Sequence, residues 1–217
     1  NLQRINSHVN TVASALEAQE SYEVQHIFQQ LGGKIIYGQA KFVDEHMLHV
    51  NDQTISAKRF VIATGSRPLY PAISGLHEIG YLTNEEIFKQ EKLWERLIIL
   101  GGKPAAIEFA QAFARLGTKV SIIAHSDSIL PQEEPELVKK LSEVLLESGI
   151  EIYLNSKVQN AYLQRKTKVL ECLHDCGEVY TVSADEIFVA LGRRPNLEGL
   201  GLENAGIEFA DDGILVD

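Results

Sequence analysis

Six residues carry the plainest chemistry in this sequence: Gly101, Gly102, Lys103, Pro104, Ala105 and Ala106. They follow an apolar run, Leu97–Leu100, and open a helical pattern that Gly117 closes. Glycines between a strand and a helix allow a tight turn and a close approach of backbone to an anion. The unpaired N–H groups of the helix's first turn, and its positive dipole end, would face that anion. A second apolar run, Val120–Ala124, reads as the next parallel strand. Strand, glycine turn, helix and strand make the βαβ unit that holds a dinucleotide by its pyrophosphate.

The fit to G-x-G-x-x-G/A is imperfect. Gly101 stands at the first glycine and Ala106 is allowed at the third, but Lys103 occupies the second. Two readings of Lys103 stand: it swings outward and adds positive charge beside the phosphates, or its Cβ and stem hold the ligand off. Beside these stands a Rossmann-like unit that has lost its ligand, a non-catalytic sensing or scaffold module.

An acid about 20 residues after the glycines would take the ribose 2′-hydroxyl of NAD. The second strand ends instead in Ile123-Ala124-His125-Ser126. Without a carboxylate there a 2′-phosphate is not repelled, and His125 and Ser126 could donate hydrogen bonds to it. No arginine is present, so NADP is favoured only slightly, and His125 reads equally as an incidental histidine in a solvated loop.

The remaining elements must hold this unit. Apolar residues at Leu2, Ile5, Val9, Val12 and Leu16 predict a helix over 1–18, and Ser21 is expected to cap a second one ending at Gly32-Gly33, both as core helices. Lys34–Gly65 reads as β-rich, with short strands at Ile35–Tyr37, Ala40–Val43, Met47–Val50 and Gln53–Ser56, and a buried one at Phe60–Ala63. Pro68, Pro71, Gly75 and Gly80 punctuate a crossing between domains, and a short helix is expected around Thr83–Gln90. A helix over Pro131–Ser148, a strand at Glu151–Leu154, a three-stranded antiparallel excursion between Val158 and Val182, and a buried strand at Glu186–Ala190 complete the pattern. The expected class is α/β: a Rossmann-like parallel sheet with flanking helices and antiparallel β-meander excursions. Domains are expected at 1–70, 71–196 and 197–217.

The 217 residues suffice for one large or two small domains, and 45% hydrophobic content supports a core. A net charge of −10 argues against nucleic acid or an anionic membrane as partner. Apolar runs are strand-length, so no transmembrane helix is expected. Cys172 and Cys176, with His174 between them, are too few for a four-ligand zinc site, and no metal is expected. They are expected to stay reduced, in a cytoplasmic setting.

Three motifs in order, VIATGSRP, ILGGKPAAIEFAQAFARLGTKVSII and IFVALGRRPN, resemble the class I pyridine nucleotide-disulfide oxidoreductases of the mercuric reductase and dihydrolipoamide dehydrogenase type. The resemblance covers nearly the whole chain. It implies an FAD domain interrupted by an NAD(P) domain, with hydride passing from NAD(P)H to FAD and on to a disulfide or metal-ion acceptor. By matching position, Ala63, Thr64 and Gly65 lie at the strand end near the flavin, and Gly101 to Ala106 form the pyrophosphate loop. Pro104 falls where some members place a residue between flavin and nicotinamide. Glu108 falls near the nicotinamide, though an acid there also suits a helix start. Ala124 and His125 fall at the adenosine ribose, and Ala190, Leu191 and Gly192 beside the nicotinamide. The family's glycine-rich FAD fingerprint and C-x-x-x-x-C pair are not found in these residues, so no catalytic residue is assigned. The chain is expected to be the middle of a subunit, incapable of turnover alone and homodimeric when full length.

Overall fold

The computed structural model describes residues 2–216, with side chains described except at positions 2, 3, 6 and 16–23. Along the chain run α1 (Leu2–Gln30), the strands β1 (Ala40–Asp44), β2 (Met47–Val50), β3 (Gln53–Ser56) and β4 (Ser66–Pro68), and the one-turn α2 (Leu76–Ile79). Next come β5 (Arg96–Leu100), α3 (Pro104–Arg115), β6 (Lys119–Ile123), α4 (Pro135–Glu147) and β7 (Glu151–Tyr153). Strands β8 (Ser156–Gln164), β9 (Thr167–His174), β10 (Val179–Ala184) and β11 (Glu186–Val189) follow. The last are β12 (Arg193–Pro195), β13 (Phe209–Ala210) and β14 (Gly213–Ile214). Packing divides the chain into two compact units, Asn1–Val9 with Pro68–Gly192, and Asn10–Arg67 with Arg193–Asp217.

The first unit is built on a parallel sheet in the order β11-β5-β6-β7. A parallel strand covered on both faces needs apolar residues at successive positions. Leu97, Ile98, Ile99 and Leu100 supply them, none more than 2% exposed. Leu97, Ile99, Ile122 and Phe188 pack with Ala106, Ile107, Ala110 and Phe113 of α3 and with Val138 and Leu145 of α4. Ile98, Leu100, Ile123, Ile187 and Val189 pack in a second cluster, with Leu170, Cys172, Val182 and Ala184. Those four belong to an antiparallel sheet, β10-β9-β8. Helices therefore cover one face and the expected antiparallel excursion covers the other. Burying each large side chain contributes about 1.5–3 kcal/mol, so both layers hold the strand ends in place.

The expected helix at 83–90 is a single 3-10 turn, Ile87–Lys89. The Glu86 carboxylate accepts from both the backbone N–H and the hydroxyl of Thr83, which holds the turn that leads into it. The Thr83 hydroxyl holds the Glu86 carboxyl below its usual range. Leu82 hydrogen-bonds along β11, its N–H donating to Ile187 O and its carbonyl accepting from Val189 N, both at 2.8 Å.

In the second unit β1-β2-β3 form the expected meander, and β13 and β14 form a hairpin about Asp211-Asp212. Ile35–Tyr37 and Phe60–Ala63 are not strands. A strand exists through its ladder, and no described strand pairs with either segment; Val61 is 93% exposed. Helix α1 also departs from expectation. It runs unbroken, so there is one helix and not two. The stripe positions Leu2 and Leu16 and the side chain of Ser21 lie outside the described residues. Val12, Val24, Ile27 and Phe28 are 44–61% exposed, so this helix is not a core helix.

Candidate functional site

Sheet order decides where a ligand can sit. The chain leaves β5 toward β6 and β7, and β11 joins later on β5's other edge. The crossovers part between β5 and β11, so the crevice beyond their carboxyl ends is the topological switch point. Gly101 follows β5 and Ala190 follows β11, joined by Ala190 N–H donating to Leu100 O at 2.8 Å. Gly101 has φ +122°, and a Cβ there would lie 2.5 Å from Ala190 O. Only glycine lets the two strand ends close this far. Gly102 is buried, and a Cβ on it would press on Ala124 Cβ at 3.2 Å.

Lys103 is the N-cap of α3, in extended backbone with φ −85° and ψ 169°. Any residue adopts that conformation, so the loop does not require glycine at this position. Pro104 at N1 has no N–H to leave unpaired, and no side chain caps the helix. The amides of Ala105 and Ala106 have no acceptor within the helix and carry its positive end. Lys103 is exposed, and its ammonium lies beside Gly192: a Cβ built there would sit 3.1 Å from Nζ. The lysine reaches from the β5 loop to the β11 loop, and no described residue holds it by a hydrogen bond or ion pair. The β5 and β11 loops thus approach each other at Gly101–Ala190 and at Lys103–Gly192.

At the tip of β6, Ala124 is 2% exposed and lies against Gly102, while His125 is exposed. Ser126 spends its single proton on Ser128 O at 2.7 Å. Its expected donation to a 2′-phosphate would break that bond, which leaves His125 as the uncommitted donor. Glu108 is exposed on the second turn of α3.

Ala63, Thr64 and Gly65 belong to the second unit and are exposed. Thr64 Oγ1 donates to Asn196 O at 2.7 Å, Asn196 Nδ2 donates to Thr64 O at 3.0 Å, and Asn196 N–H donates to Gly65 O at 3.0 Å. Arg67 forks onto Glu198, Nη1 to Oε2 at 2.9 Å and Nη2 to Oε1 at 2.5 Å. Arg67's hydrogen bonds, with Arg194 nearby, hold the Glu198 carboxyl down at about 2.

The profile of the pyridine nucleotide-disulphide oxidoreductases matches residues 3–217. The chain belongs to that family. Family relatives include mercuric reductase of Staphylococcus aureus, 32% identical over 86% of this chain and 34% of that protein. Dihydrolipoyl dehydrogenase of Bacillus subtilis is 30% identical over 89% of this chain and 43% of that protein. Among solved structures, the HOCl-induced flavoprotein disulfide reductase RclA of Escherichia coli superposes with a TM-score of 0.86 at 27% identity, over 99% of this chain and 48% of that one. The chain spans about a third to a half of the length of these relatives.

Within this pyridine nucleotide-disulphide oxidoreductase chain, sequence reasoning missed Asn196, which ties the ATGSRP and GRRPN motifs together across 132 positions. Its place directly after Pro195 in the second motif was the available signal. Cys172 and Cys176 are both free thiols; burial pushes Cys172 up to about 11. No cluster of three or more metal-ligating side chains occurs among the described residues. No described helix is long and apolar enough to cross a membrane.

Proposed function

We propose that this chain holds the nicotinamide dinucleotide of a flavin-dependent oxidoreductase, with its diphosphate in the β5–β11 crevice. The observation that carries the proposal is the junction of the two loops: a glycine at 101 forced by packing, a buried glycine beside it, an uncapped helix N-terminus, and a lysine ammonium with no described partner. That donor set suits a diphosphate and leaves no opposing carboxylate in the loop. The amides of Ala105 and Ala106 bind the phosphates, Gly101 and Gly102 let the backbone approach, and Lys103 adds charge from the rim. Ala190, Leu191 and Gly192 border the nicotinamide end, where Glu108 orients it. Ala124, His125 and Ser126 border the adenosine ribose. With no acid at that tip and His125 exposed, NADP is slightly favoured.

When bound, NAD(P)H supplies a hydride; the protein's share is positioning and electrostatics. RclA is named a flavoprotein disulfide reductase, which supports FAD as the second cofactor of the intact protein, with Ala63, Thr64 and Gly65 on the flavin side. The domain division at about 70 and 196, a cytoplasmic homodimer, an acceptor that is a disulfide or a metal ion, and an inactive isolated chain complete the proposal.

Titration with NADPH and NADH tests it, followed by the nucleotide's own fluorescence with circular dichroism as the check on folding. Saturable binding of either supports the site. A folded protein that binds neither is the non-catalytic Rossmann module instead.

A further inference from the structure

The turn between β9 and β10 places a thiol against an imidazole; it is tied to the β6 tip through Asn155, whose carbonyl accepts from Asp175 N–H and whose N–H donates to Ser126 O, both at 2.9 Å. His174 Nδ1 lies 2.9 Å from Cys176 Sγ. The Cys176 backbone N–H donates to the same Nδ1 at 3.1 Å. Nδ1 has one in-plane lone pair, so the Cys176 N–H and the Cys176 thiol share it. A thiol and an imidazole within hydrogen-bond reach are two of the parts of an activated nucleophile. Cys176 is exposed, whereas Cys172 is 0% exposed within the core.

Beside the pair is a cavity of about 500 Å³, lined by His174, Glu178, Asn155, Ser156 and the stacked rings of Tyr153 and Tyr180. The two rings lie 5.5 Å apart at 23°, a flat apolar wall with hydroxyls at its edge. The charged groups on the same turn are Asp175 and Glu178.

We propose that Cys176, with His174 as its base, is a thiol–disulfide exchange site for low-molecular-weight disulfides, one half of which lodges in this cavity. The Cys176 S–H bond breaks and its proton passes to His174 Nδ1. The sulfur forms a new S–S bond to one half of the disulfide. The old S–S bond breaks with its electron pair on the departing thiolate, which takes the proton from His174. Two thiol–disulfide partners exchange, with no net oxidation. The turn's two acids and the chain's charge of −10 favour a neutral disulfide over an anionic one.

The experiment uses the intact protein, a neutral pyridyl disulfide and its dianionic nitrobenzoate counterpart, with the labelled peptides quantified by mass spectrometry. At pH 7 the Cys176 peptide is expected to label at least tenfold faster than the Cys172 peptide, and faster with the neutral reagent. His174→Asn keeps an acceptor for the Cys176 N–H but has no base. It is expected to slow Cys176 labelling about tenfold at pH 7 and less than twofold at pH 10, where a thiol ionises unaided. Equal rates for wild type and His174→Asn at pH 7, a tenfold loss that persists at pH 10, or labelling of Cys172 as fast as Cys176 would overturn the proposal.

Discussion

Lys103 is the residue on which nucleotide affinity turns, and Lys103→Ala measures its part. Its ammonium is exposed, unpaired among described residues, and sits at the rim between Gly101 and Gly192. A charge pair about 4 Å apart is worth about 1 kcal/mol at the dielectric of water and about 4 kcal/mol at an effective value of about 20. Exposure puts Lys103 at the low end, about 1 kcal/mol, or about fivefold in Kd. The diphosphate is common to both nucleotides, so NADH and NADPH should weaken alike. Raising ionic strength from about 0.05 to 0.5 M should erase most of the difference, since the charges are solvent-screened. Calorimetric titration of wild type and variant at both salt concentrations reads all of this. Tighter binding by Lys103→Ala would refute the reasoning, because the side chain would then be an obstruction and not a phosphate ligand.

Gly101→Ala places a Cβ 2.5 Å from Ala190 O at φ +122°; it should cost about 2–4 kcal/mol and lower Tm by about 5 °C or more, read by thermal denaturation. Gly206→Ala, where nothing lies within 4 Å, is the control for positive φ alone and should cost about 1 kcal/mol. His125→Glu puts a carboxylate at the tip of β6 and should shift the ratio of NADPH to NADH dissociation constants about tenfold toward NADH, seen by parallel titration. Glu198, held at about 2 by Arg67, should return toward 4.5 in Arg67→Met, as followed by NMR of its side-chain carboxyl. Because the folded value is depressed, the pair's contribution is present above about 4.5 and is lost as pH falls toward 2; acid unfolding of wild type and variant should therefore differ above that window and converge below it.

The parallel sheet was legible because its signal is local. A strand buried on both faces must be apolar at successive positions, and Leu97–Leu100 and Ile187–Val189 are. Gly101, Pro104 and Gly117 mark the ends of β5 and α3 by backbone chemistry that few other residues share. Phe60–Ala63 carries the same apolar signature yet forms no strand, because a ladder depends on a neighbour and composition does not disclose one. The same limit applies to α1: the spacing of Val9 and Val12 reports an apolar stripe, not what covers it.

Lys103 was undecidable from sequence for a different reason. The glycine rule at that position bundles two demands, a permissive backbone and an absent side chain. The structure separates them. At φ −85° the backbone demand vanishes, so only the side chain's direction remains, and it runs along the rim toward Gly192. Gly192 accommodates it, since a Cβ there would meet Nζ at 3.1 Å. Gly192 is at φ +118°, a conformation that favours glycine by itself, and the basic stem of Lys103 is laid across the switch point beside it. Gly192→Ala should then both strain the backbone at φ +118° and press on the ammonium, and a double-mutant cycle with Lys103→Ala measures the part of its effect on affinity that runs through the lysine.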